Sequence, residues 1–97
     1  MLEGDVVSGQ QLGRKIGVPT INLEVHDRKV LPANGVYAVR AYFGQGDAFS
    51  AHAKPSALNI GTRPTVDGNR LAIEFHVIGE DIPVAPERVR LEIVERL

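Results

Sequence analysis

Apolar and polar residues alternate with a period of two along most of the chain, with breaks at glycine and proline, as in strands half buried against a core. Ile21, Leu23 and Val25 alternate with Asn22 and Glu24, which predicts a strand whose other face carries Thr20, Asn22 and Glu24. Pro32-Ala33-Asn34-Gly35 predicts a turn, and the run from Val36 to Phe43, rich in Val, Tyr, Phe and Ala, predicts a second strand. Gly44-Gln45-Gly46-Asp47 reads as a hairpin connection into a strand from about Phe49. That strand is expected to break near Lys54-Pro55, where proline marks a bulge or an edge, and to resume towards Ile60. Val66-Asp67-Gly68-Asn69 carries an Asp-Gly turn signal. After it comes the clearest strand, with Leu71, Ile73, Phe75 and Val77 alternating with Ala72, Glu74, His76 and Ile78. The last segment fits a strand through Val89, Leu91 and Ile93, and a helix through Val89, Ile93 and Leu97; we read it as a strand. Several short strands with frequent turns and no long amphipathic helix predict an all-β domain, and closure into a small barrel is one way to remove its edges.

Composition narrows the class. The 97 residues, 43% of them hydrophobic, make one domain spanning 1–97, since domains run from about 50 to 250 residues. There is no cysteine, which excludes a disulfide scaffold, a thiolate zinc site and a cysteine nucleophile and points to the cytoplasm. No apolar run approaches the ~18 residues of a membrane span, and no signal peptide is visible. Eleven Lys and Arg against twelve Asp and Glu leave a net charge of −1. No overall field then favours nucleic acid or an anionic membrane, and phosphate binding has to be local.

Candidate chemistry begins in the opening stretch, where Gly4, Gly9, Gly13 and Gly17 surround Arg14 and Lys15 before Pro19-Thr20-Ile21-Asn22. Such glycines serve either a phosphate-binding loop, whose backbone N–H groups approach the ligand closely, or a plain hairpin. The spacing is not that of a P-loop or of GxGxxG. Thr20 and Asn22 place two oxygen-bearing side chains side by side on one strand face, either as an exposed polar face or as hard ligands for Mg²⁺. Glu74 points away from the apolar face of its strand, with His76 beside it. It is either solvated or stands at a barrel mouth where it takes a proton from an attacking hydroxyl. His26 and His52 form no ligand-spaced pair with His76.

The spacing Gly4-x-Val6-x-x-Gly9-x-x-x-Gly13-Arg14-x-x-Gly17-x-Pro19-Thr20-x-Asn22 resembles the opening signature of the riboflavin kinase family, including the kinase module of bacterial bifunctional FAD synthetases. Asn59-Ile60-Gly61-Thr62-Arg63-Pro64-Thr65 is similar to the family's Asn-Ile-Gly-x-Arg-Pro-Thr segment. Leu31-Pro32 with Gly35-Val36-Tyr37-Ala38, Glu74 in its strand, and Val94-Glu95-Arg96-Leu97 match further blocks. The resemblance implies a six-stranded antiparallel Greek-key barrel, with ATP under the glycine loop and flavin at the barrel mouth. It implies nucleotide contacts at Gly9, Gly13, Arg14, Lys15, Gly17, Pro19, Thr20 and Asn22, Mg²⁺ at Thr20 and Asn22, and a flavin-side loop at Asn59, Gly61, Arg63 and Thr65. Glu74 becomes the base for the riboflavin hydroxyl. Glu80-Asp81-Ile82-Pro83-Val84-Ala85-Pro86 departs from the family's Asp-Leu-Tyr-Gly-like turn. The family's C-terminal helix lies beyond Leu97 and its bacterial adenylyltransferase domain upstream of Met1, so self-association through an uncovered face is expected. The alternative is a barrel that binds nucleotide or flavin without turning it over.

Overall fold

The computed structural model describes residues 1–8, 20–80, 82 and 85–97. Seven strands run in chain order: β1 (Leu2–Ser8), β2 (Ile21–Glu24), β3 (Gly35–Gln45), β4 (Ala48–Phe49), β5 (Lys54–Thr65), β6 (Gly68–Val77) and β7 (Arg88–Arg96). The only helical element among the described residues is a 3₁₀ turn, Arg28–Val30. All pairings are antiparallel, in the order β4-β3-β5-β6-β2-β1-β7, and β7 pairs back onto β3. Six strands therefore close a barrel, and two-residue β4 merely extends the end of β3. The meander β3, β5, β6 with β2 returning beside β6 is a Greek key. The barrel predicted from the resemblance is the one observed.

The interior is filled by side chains, as a barrel this narrow requires. Register makes the layers explicit: Tyr37 faces Leu58, Leu58 faces Phe75 and Phe75 faces Ile21, and all four are buried. One residue along each strand, the pleat turns the next layer outward, giving the row Val36, Asn59, Glu74, Asn22 on the outer wall. Predicted core positions Leu23, Val25, Ile73, Val77, Val89 and Leu91 are likewise buried.

Three local expectations are corrected. The hairpin at Gly46 leads into only two strand residues, and Pro55 does not interrupt β5 but is its second residue. Proline fits because residues of an antiparallel strand direct N–H and C=O together to one neighbour, alternating sides. The Pro55 carbonyl accepts from the Ile78 amide at 2.9 Å, so the missing N–H would face the end of β6, and the β3 ladder keeps its bonds. The second correction is in the opening stretch, where β1 is a strand through Gly4. A Cβ there would lie 3.1 Å from the Glu24 carbonyl oxygen, so glycine is what lets β1 lie close on β2. The third concerns alternation itself, which fails at Val7 and Val94. Ladder partners shift between Val6 and Ser8 and between Val39 and Ala38, leaving Val7 and Val94 as the extra residues of two bulges, both more than half exposed.

Turn chemistry explains the hairpins. Gly46 has φ +63° and no non-glycine residue among those described has positive φ, so the Gly46-Asp47 turn has its positive φ at the first central position, as type II′ demands. At the β5–β6 tip the two loop residues are Val66 and Asp67, both with negative φ, and Gly68 follows. The Thr65 hydroxyl donates to the Gly68 carbonyl at 3.0 Å.

Just past the end of β2, His26 Nε2 lies 2.9 Å from the Asp5 carboxylate, and its Nδ1 lies 3.9 Å from that of Glu24. The hydrogen bond to Asp5 and then the Asp5 charge raise the His26 pKa, outweighing desolvation. A raised folded-state pKa stabilises fully below the ordinary imidazole value, and the contribution fades as pH rises through the raised one. His26→Gln should therefore lower the denaturant midpoint more at about pH 5.5 than at about pH 8.5. An equal shift at both would show that the pair does not form in solution.

Candidate functional site

Glu74 stands on the outer wall of β6, not inside the barrel and not at its mouth. Strand alternation fixes this: Ile73 and Phe75 are buried inward, so the side chain between them projects outward. It is directly opposite Asn22 on β2 and Asn59 on β5. A carboxylate is thus flanked by a carboxamide on each side. Thr20, two residues before Asn22 and on the same face, is exposed at the entrance to β2.

Glu74 also has a charged partner. Arg63 Nη2 donates to Glu74 Oε1 at 2.5 Å, with the Arg63 side chain 60% exposed and that of Glu74 20% exposed. The expected flavin-side loop at Asn59, Gly61, Arg63 and Thr65 is instead part of strand β5, where the four, as alternate strand residues, share its outer face. Gly61 pairs with Ala72, Arg63 with Arg70 and Thr65 with Gly68. Arg70 was not singled out from the sequence, yet the hairpin register brings it directly opposite Arg63. Like charges in that position repel, which accounts for Arg63 turning along the strand towards Glu74. An ion pair this open to water stabilises the fold by on the order of 1 kcal/mol or less.

Of two neighbouring hollows, Arg63 lines one and its ion-pair partner Glu74 lines the other. One, of about 350 Å³, lies between β2 and the β5–β6 hairpin and is lined by Val7, Asn22, Arg63, Thr65, Arg70 and Ala72 among others. The Val7 bulge forms its far wall, where β1 leads towards the glycine-rich stretch. The other, of about 240 Å³, has Ala57 in its floor and Thr20, Val36, Asn59, Glu74 and His76 around it. The first is rimmed by two guanidinium groups, while the second is neutral apart from Glu74 and the imidazole. Gly9, Gly13, Arg14, Lys15, Gly17 and Pro19 lie outside the described residues.

The oxygen donors suit a hard cation of a particular kind. Thr20 and Asn22 offer neutral oxygens, and no group of three or more His, Cys, Asp or Glu converges among the described residues. Two neutral oxygens fit Mg²⁺ as it is usually bound beside nucleotides, with most of its ligands from phosphate and water.

Comparison with known proteins gives the family and the fold. The family model described as Flavokinase: Riboflavin kinase matches residues 1–97. The bifunctional riboflavin kinase/FMN adenylyltransferase of Haemophilus influenzae is 35% identical over 94 residues, covering 97% of this chain and 29% of that protein. That of Escherichia coli K12 is 46% identical over 77 residues, 79% of this chain and 23% of that protein. This chain thus spans less than a third of the length of these curated relatives. A crystal structure described as a macrolide-efflux protein from Streptococcus pneumoniae superposes with a TM-score of 0.75 at 29% identity, over 99% of this chain and 30% of that one; what the two share is the barrel. No helix among the described residues is long and apolar enough to cross a membrane.

Proposed function

The chain belongs to the riboflavin kinase family, and from that premise we propose that it transfers the γ-phosphate of ATP to the 5′-hydroxyl of the ribityl chain of riboflavin, giving FMN and ADP. The observation that carries this reading is the row Asn22, Glu74, Asn59: a carboxylate on a strand, flanked by two carboxamides, lining one hollow and ion-paired to the Arg63 that lines a second, cationic one. Phosphoryl transfer needs positioning, charge neutralisation and a destination for one proton, and little covalent chemistry from the protein. The hydroxyl oxygen forms the new bond to the γ-phosphorus as the bond to the β-bridging oxygen breaks and ADP departs. Glu74 takes the hydroxyl proton, and Asn22 and Asn59 orient the groups on either side of it.

Thr20 and Asn22 would hold Mg²⁺, which when bound neutralises phosphate charge. The assignment of Gly9, Gly13, Arg14, Lys15, Gly17 and Pro19 to the phosphates is part of the same proposal and rests on the family motif. The bifunctional names of the relatives extend it to a full-length protein in which an FMN adenylyltransferase domain consumes the FMN formed here.

The deciding experiment is formation of FMN from riboflavin and ATP by the full-length protein. Binding of both compounds without product would reduce the barrel to a binding module. Thr20→Val keeps the side-chain shape and removes the oxygen. It should weaken Mg²⁺-dependent ADP binding by roughly 1.5 to 3 kcal/mol, or about 10- to 150-fold, as loss of a charge-assisted contact. Unchanged affinity in a titration would remove Thr20 from the site.

A further inference from the structure

The Arg63–Glu74 ion pair puts a cation on the carboxylate that the proposed reaction needs as its proton acceptor. Between the two side chains on the outer wall lie only Gly61 and Ala72, an opposed pair of small residues, and the space above Gly61 is open. Arg63 therefore has room to swing. Its cross-strand neighbour Arg70 has no ion-pair partner within 4 Å among the described residues. Two guanidinium groups thus share the rim of the hollow next to Asn22, and one of them is neutralised only by turning to Glu74. A polyphosphate entering that hollow carries several negative charges and oxygens that guanidinium groups bind in pairs. It competes for Arg63 against a single carboxylate and at the same time relieves the repulsion between Arg63 and Arg70.

We infer that Arg63 is a switch: in the ligand-free protein it caps Glu74, and polyphosphate bound between Arg63 and Arg70 draws it off, freeing Glu74 for the acceptor hydroxyl. This rests on the reading of Glu74 as proton acceptor and adds Arg63 as its positioning residue. Nucleotide then tightens binding of the alcohol, and by linkage the alcohol tightens nucleotide to the same degree.

The test measures riboflavin affinity of the full-length protein, by flavin fluorescence, with and without ADP. In the wild type ADP should tighten riboflavin by about 5- to 20-fold. Arg63→Gln should bind riboflavin without ADP as tightly as the wild type does with it, and gain less than about twofold from ADP. The switch is overturned if the wild type shows no ADP effect, if Arg63→Gln keeps the full effect, or if that variant without ADP binds no tighter than the wild type. A second readout needs no variant to be active: the Arg63 Nε–H resonance, identified by its loss in Arg63→Gln, should move on adding ADP, and a stationary resonance also overturns the switch. Failure of the underlying reading looks different. Glu74→Gln would then turn over riboflavin at the wild-type rate, whatever the coupling.

Discussion

Replacing Glu74 by glutamine in the full-length protein slows conversion of riboflavin to FMN by about 10²- to 10⁴-fold, the usual loss when general-base assistance is removed, while ATP still binds. The substitution keeps the volume and one acceptor oxygen, so neither the packing around Phe75 nor the carboxamides of Asn22 and Asn59 lose their neighbour. What is lost is the ability to take a proton. Glutamine also releases Arg63 from its ion pair, so nucleotide affinity should not fall. A fall in turnover with nucleotide binding intact is the signature of a group needed for the chemical step. Turnover within a few-fold of wild type would return Glu74 to the role of a polar residue on an outer strand face.

How much of this site could be read from the sequence depends on the range of the contact. Alternation fixed the direction of Glu74, because Ile73 and Phe75 claim the core side. The β5–β6 hairpin was also legible in principle. Once Val66 and Asp67 form the loop, residues equidistant from it must pair, which puts Asn59 across from Glu74 and Arg70 across from Arg63. The missed Arg70 was available from that counting. The approach of Asn22 to Glu74 was not, since β2 and β6 are distant in sequence and only barrel closure sets their register. Sequence left Glu74 either solvated or at a barrel mouth for the same reason, as alternation tells inside from outside but not wall from rim. The bulges at Val7 and Val94 show in the sequence only as the apolar doublets Val6-Val7 and Ile93-Val94, and the partner strand decides which residue of each is the extra one. Pro55 was misjudged because proline marks an absent N–H, and only the pairing shows that this N–H would face the end of β6.

The largest effect on stability is expected at Phe75, whose side chain is 1% exposed and sits in the inward layer between Ile21 and Leu58. Its ring meets that of Phe43 edge to face, with centroids 6.5 Å apart and planes at 75°, the geometry in which ring quadrupoles attract. In a six-stranded barrel this layer has few side chains to spare, and rigid strands on all sides cannot close over a hole. Phe75→Ala should cost about 3 to 5 kcal/mol, a large share of the roughly 5 to 15 kcal/mol that holds a small domain folded. At about 4 to 8 °C per kcal/mol for a barrel of this size, melting of the barrel should fall by tens of degrees, read by thermal or denaturant unfolding. Because Glu74 and His76 hang from the same strand on either side of Phe75, function should follow the fold here. Phe75→Leu, which keeps most of the volume, should cost less than about 1.5 kcal/mol and leave nucleotide binding in place, whereas Glu74→Gln should alter turnover with little change in melting. A Phe75→Ala protein melting within about 3 °C of wild type, less than one kcal/mol on that scale, would mean that the layer Tyr37, Leu58, Phe75, Ile21 is not what holds the barrel wall, and with it the row Asn59, Glu74, Asn22, in place.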